Sequence, residues 1–227
     1  MKNSKLIIIA ATLIIWWQHV SLAQGFVNLD FESVIPPLVP SPGGFVPASN
    51  ALPGWTAYLG GNPQTGVYYN SFALDAAAVI LEDPASGFSI IQGSYSVYLQ
   101  SATIGVPSGS SLSAGIGQTG MIPSDAMSVF FVAGFGVPQV TFAGQEIQVT
   151  ALGASSGYTL YGGDVSMFAN QTGELLFSVT RQGSTRQQVL LDNIYFSPSA
   201  VPEPSALSLL ALGLLGLGWR QWGKVRT

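Results

Sequence analysis

Hydrophobic and polar residues alternate with a period of two in short runs along most of the chain. In 26–32, Val27, Leu29 and Phe31 alternate with Asn28, Asp30 and Glu32, the pattern of a half-buried strand. Further β-branched or aromatic runs fall at 56–59, 67–72, 78–81, 88–92, 96–100, 112–118, 128–132, 139–142, 146–152, 159–161, 174–180 and 187–196. Gly, Pro, Asn and Ser separate them, as expected of strands joined by turns. Six prolines mark 36–53 as an extended loop, and 73–81 has room for one short helix. Elsewhere no helical stripe is sustained. Many short strands without a repeat of 20–50 residues predict an all-β sandwich or jelly roll.

The two ends depart from this pattern. Lys2 and Lys5 precede an apolar run, 6–17, and Ser21 and Ala23 place small residues at the −3 and −1 positions of a cleavage site. That is the order of a secretory signal peptide over 1–23, cut before Gln24 by signal peptidase. At the other end, Val201-Pro202-Glu203-Pro204 precedes a Leu/Gly-rich run and then Arg220, Lys224 and Arg226. The prolines fix their own φ and stop a helix running through from the body. Fourteen residues, 206–219, make about 21 Å of helix. That is short of the roughly 30 Å hydrocarbon core, and extending it to Trp222 brings it nearer. The basic cluster favours the cytoplasmic side, which puts the body outside.

Between these ends lies one domain's length of chain, 24–200. Of seven basic and eleven acidic residues, Arg181 and Arg186 face ten carboxylates in the body, for a net charge of −8. That balance argues against nucleic acid, whose affinity rests on Lys and Arg contacts to phosphate. There is no cysteine, so no disulfide holds the domain, and the one histidine, His19, sits in the signal peptide. Ser-His-Asp and Cys-His catalysis, and zinc held by Cys or His, are thereby excluded from the body.

The ordered PEP tripeptide, apolar run and basic cluster resemble the PEP-CTERM sorting signal of Gram-negative bacteria, here 201–227. The resemblance implies recognition by an exosortase-type membrane protease, transient inner-membrane anchoring by a short C-terminal transmembrane helix, and delivery to the cell surface or extracellular matrix. Asn28-Leu29-Asp30-Phe31-Glu32 near the start and Leu191-Asp192-Asn193-Ile194 near the finish resemble the outer strands of galactose-binding-like jelly rolls, which include many carbohydrate-binding modules. Pro53-Gly54-Trp55, Ser96-Val97-Tyr98-Leu99 and Gln118-Thr119-Gly120 are similar to short stretches of the same modules. That likeness implies that the first and last strands lie close, with a structural calcium bound beside them by carboxylates and backbone carbonyls. Glu32 and Asp192 are the residues it points to.

Exposed rings bind sugars because the apolar face of a pyranose packs on them. Tyr158 and Tyr161, beside the bend Gly162-Gly163-Asp164, are the candidate ligand residues. Trp55 has a core role after its Pro-Gly turn as the competing reading. The expected function is therefore a non-catalytic exported surface or matrix protein that binds polysaccharide. The alternative is a glycoside hydrolase using a carboxylate pair, although no pairing of the ten acids can be read from their spacing.

Overall fold

The computed structural model describes residues 25–41, 44–71, 76–87, 90–102, 113–182 and 185–201. The expected signal peptide and the sorting tail beyond Val201 lie outside the described residues. In chain order the elements are β1 (Phe45–Pro47), a single-turn helix α1 (Ala48–Ala51), β2 (Thr56–Leu59), β3 (Asn62–Gln64), β4 (Gly66–Tyr69) and β5 (Ala78–Glu82). There follow β6 (Ser96–Gln100), β7 (Ser113–Met121), β8 (Ser128–Gly134), β9 (Gln139–Phe142) and β10 (Gln145–Ile147). The last four are β11 (Val149–Ser155), β12 (Tyr158–Asp164), β13 (Thr172–Thr180) and β14 (Gln188–Ser197).

They form two sheets packed as a sandwich. An eight-stranded sheet runs β1-β4-β5-β6-β14-β8-β12-β11, and a six-stranded sheet runs β10-β9-β13-β7-β2-β3. Strand pairs are antiparallel except β4 with β5. The period of two sorts side chains between faces. Leu81, Leu99, Leu191 and Phe131 of the large sheet meet Ile116, Leu175, Phe177 and Phe142 of the small one in a single core. The alternate residues Ala78, Ile80, Tyr98 and Leu190 form a second, smaller cluster on the outer face of the large sheet, with Tyr68 and Ile91 over it. Strands β5, β6 and β8 are thus buried at every position. This is why they read as continuous apolar runs rather than clean alternation.

Several expectations are corrected. Residues 26–32 are not a regular strand: Gly25 makes one bridge to Met121, and the chain then turns, with Asn28 and Phe31 at positive φ. A side chain takes the place of the missing partner strand, because Val27 N–H donates to Gln118 Oε1 at 2.6 Å and Gln118 Nε2 returns a bond to Val27 O at 2.9 Å. Phe31 is fully buried against Trp55, whose indole N–H donates to Asn28 O at 2.9 Å. Trp55 therefore belongs to the core. The predicted strand 146–152 is two strands, divided at Gln148 where the chain leaves one sheet for the other. The extended loop 36–53 contains β1 and α1, and residues 90–92 of the predicted strand 88–92 form a bend. Residues 78–82 are strand and not helix.

Candidate functional site

The ends of the domain converge, with Ile194 N–H donating to Leu29 O at 2.9 Å. Glu32 and Asp192 come together there on one loop. Glu32 Oε1 accepts the N–H groups of Ser94 (2.8 Å) and Tyr95 (3.0 Å). Asp192 Oδ2 accepts Gln92 N–H (3.0 Å) and the Ser96 hydroxyl (2.8 Å), while Oδ1 accepts Asn193 N–H (2.7 Å). Gly93 sits between them at φ +66, where an added Cβ would come within 2.3 Å of Glu32 Oε1. The loop closes on the two carboxylates because it has no side chain there.

Asp192 is 1% exposed. Burial pushes its carboxyl up to about 6, opposed by the bonds from Ser96, Gln92 and Asn193 and assisted by the charge of Glu32. Across the sheet, Glu82 pairs in register with Ser96 and is equally buried. Neither of its carboxylate oxygens makes a hydrogen bond among the described residues. Burial pushes it up to about 7, with the Ser86 hydroxyl nearby offsetting part of the effect and Asp83 adding to it.

Two carboxylates alone do not make a calcium shell. A hard cation needs six to eight oxygens around it. Glu32 Oε1 and both oxygens of Asp192 instead accept N–H and O–H groups. Among the described residues no group of three or more Asp, Glu, His or Cys side chains could hold a metal. The two acids work as a clamp on the loop.

Beside the clamped loop, the outer face of the large sheet opens into a groove of about 370 Å³. Ile90 and Ile91 form one wall, Leu190 lies in the lining, and the other wall is Phe135 with the Ser156-Gly157-Tyr158 turn. Two glycines bring these rings together. Gly157 turns the chain at φ +92, and Gly134 lets the turn approach, since a Cβ there would come 2.9 Å from Gly157 O. Tyr158 is 36% exposed and Phe135 61% exposed. Phe135 is also held at φ +65, a left-handed conformation that costs a bulky residue roughly 1 to 3 kcal/mol, and its ring meets Tyr98 edge-on at 6.1 Å. Among the described residues no charged side chain lines the groove. It can stack on an apolar surface and hydrogen-bond through the Ser156 and Tyr158 hydroxyls.

The two tyrosines expected at one site are separated. They stand three residues apart on β12, and so face opposite ways. Tyr158 looks outward into the groove, whereas Tyr161 is half-buried on the core side, stacked on Phe131 at 5.5 Å. Phe135 was not singled out from the sequence. Its signal is there, an aromatic between Gly134 and Gly136 in a link between strands, where a ring has no sheet face to fill.

Residues 200–224 match the PEP-CTERM protein-sorting motif, the mark of an exported chain processed by an exosortase-type membrane protease. Among the described residues no helix is long and apolar enough to cross a membrane; the expected transmembrane segment lies beyond them. No curated protein matches the chain. Similar solved structures include the enzymatically active domain of bacteriophage CBA120 tailspike protein 4, 13% identical with a TM-score of 0.36, over 64% of this chain and 19% of that one. The chain therefore spans about a fifth of that tailspike's length. Another is the K2 cleaved adhesin domain of Lys-gingipain, 15% identical with a TM-score of 0.36, over 63% of this chain and 90% of that one.

Proposed function

We propose that the body is a non-catalytic surface or matrix domain of a Gram-negative bacterium that binds an uncharged polysaccharide in the groove between Ile91 and the rings of Phe135 and Tyr158. The observation that carries this reading is Phe135, a large ring set out toward solvent on a left-handed backbone at the edge of an uncharged groove. An apolar side chain in such a conformation is a cost to the free domain, and a sugar face packed on it would offset that cost. The net charge of −8, from ten carboxylates against two arginines, disfavours an acidic polymer. A glycoside hydrolase would need two carboxylates facing the bond, about 5 to 9.5 Å apart, and among the described residues the groove lining holds none. Glu82 and Asp192, the nearby acids with raised pKa values, are each 1% exposed.

The test is affinity electrophoresis of the processed protein through gels containing neutral or acidic soluble polysaccharides. Retention by a neutral polymer, without shortening of its chains, is expected. Retention by acidic polymers alone, or depolymerisation of the retained one, would overturn the reading.

A further inference from the structure

We propose that the outer face of the six-stranded sheet carries a second tract for uncharged polysaccharide, running from Tyr58 past Ser178 and Thr180 to Gln139, Gln148 and Gln182, so that one domain holds two chains. Two hollows make up this tract. One, of about 260 Å³, is lined by Tyr58, Gly115, Glu174, Leu176, Ser178 and Thr180 among others. The second, of about 420 Å³, has Gln139, Gln148, Arg181 and Gln182 in its lining and shares Ser178 and Thr180 with the first. The shared residues make the two continuous across the end of β13.

The first hollow is built by glycine and one long hydrogen-bonded bridge. Outward positions 115 and 117 of β7 are glycine. A Cβ at Gly115 would come 2.8 Å from Phe177 O, so this part of the floor stays low. Tyr58 and Glu174 reach toward each other from the strands on either side of β7, and the Tyr58 hydroxyl donates to Glu174 Oε1 at 2.6 Å. The bridge passes over Gly117, where a Cβ would come 2.6 Å from Glu174 Oε1 and 3.0 Å from Tyr58 Cε2. The bond and the neighbouring carboxylate hold the phenol protonated, with its pKa raised. The ring is thus fixed at the side of a trough, as a stacking contact requires.

The second hollow supplies the complementary chemistry. A glutamine amide both donates and accepts, as a sugar hydroxyl does. Gln139, Gln148 and Gln182 are all exposed, and Gln139 stands opposite Ser178 in the register of β9 and β13. Glu146 and Glu174 in the two linings oppose an anionic chain, with Arg181 the one cationic group in them among the described residues. Uncharged hydroxyls fit this mixture.

Binding here is independent of the groove at Tyr158; holding two chains at once rests on both. Affinity electrophoresis of the processed protein with dextran, laminarin, hydroxyethylcellulose and galactomannan tests it. Tyr58→Ala, and separately the surface pair Gln148→Ala with Gln182→Ala, should each weaken retention by at least one of these polymers about tenfold, the equivalent of 1.4 kcal/mol. The glutamine pair guards against a folding defect in Tyr58→Ala, and unchanged melting of the pair confirms that guard. The wild type should also raise the viscosity of the retained polymer, and Tyr158→Ala should abolish that rise while leaving part of the retention. If Tyr158→Ala removes all retention, or the Tyr58 and glutamine variants bind all four polymers like wild type, or no polymer is retained, the tract is refuted. If only the Tyr58 and glutamine variants lose retention, the tract stands and the groove fails.

Discussion

The loop that Glu32 and Asp192 grip and the groove beside it occupy the same sheet, yet they treat exposed and buried chemistry in opposite ways. At the clamp, two carboxylates accept four backbone N–H groups and one hydroxyl, and a glycine clears the space between them. Three of their four oxygens are turned toward the chain itself. At the groove, two rings face solvent, one of them on a left-handed backbone. Acidic residues that look like a ligand site are spent on holding a loop, and rings that look like ordinary packing stand partly open to solvent. A site is recognised by what its atoms still lack, and residue type alone is a poor guide to that.

The sharpest way to break this contrast is to remove the clamp. Asp192→Ala leaves Gln92 N–H, Asn193 N–H and the Ser96 hydroxyl without their acceptor. At roughly 1 to 3 kcal/mol for each buried group left unmade, a loss of about 3 kcal/mol or more is expected in urea unfolding. Wild-type melting should be the same with calcium and with chelator. A calcium-dependent rise that Asp192→Ala abolishes would make these oxygens cation ligands after all.

A smaller effect comes from pH. Glu82 and Asp192 have carboxyls raised to about 7 and about 6 in the fold, against about 4 in the unfolded chain. Between those values the folded protein binds more protons than the unfolded one, so stability falls as pH rises from about 4 to about 7 and then levels off. Each group contributes roughly 3 to 4 kcal/mol to that fall. Glu82→Gln stays neutral throughout, and should flatten the upper part of the slope in urea unfolding measured at a series of pH values. An unchanged slope would mean that Glu82 is hydrated and already ionised at neutral pH.

Much of the sandwich was legible. Strands 56–59, 96–100 and 139–142 were read to the residue, because alternation and flanking turn residues mark both ends. The proximity of the two ends was legible too, through the family likeness that the paired Asn/Asp motifs at 28–32 and 191–194 carry. What the motifs could not convey was the loop lying between Glu32 and Asp192, since its partners stand 62 to 100 positions away in sequence. Segment 26–32 alternates like a strand yet pairs with the side chain of Gln118, and a glutamine standing in for backbone leaves no periodic trace. The division at Gln148 is a change of sheet, which is equally silent in local pattern. Tyr158 and Tyr161 were grouped by their shared glycine-rich neighbourhood, where the period of two sends them apart. Phe135 lay outside every strand, so no rule about faces applied to it.

The most direct measurement of the groove's role is Phe135→Ala, followed in parallel by thermal melting and by retention on the neutral polymer that holds the wild type. If the ring is a ligand platform, retention should fall about tenfold, which is 1.4 kcal/mol at 25 °C. Melting should stay level or rise, because alanine occupies a left-handed position without a ring to hold out. If instead melting drops as it does when a core phenylalanine is truncated, by about 3 to 5 kcal/mol in stability, and retention per folded molecule is unchanged, then Phe135 is packing and the groove does not bind glycan.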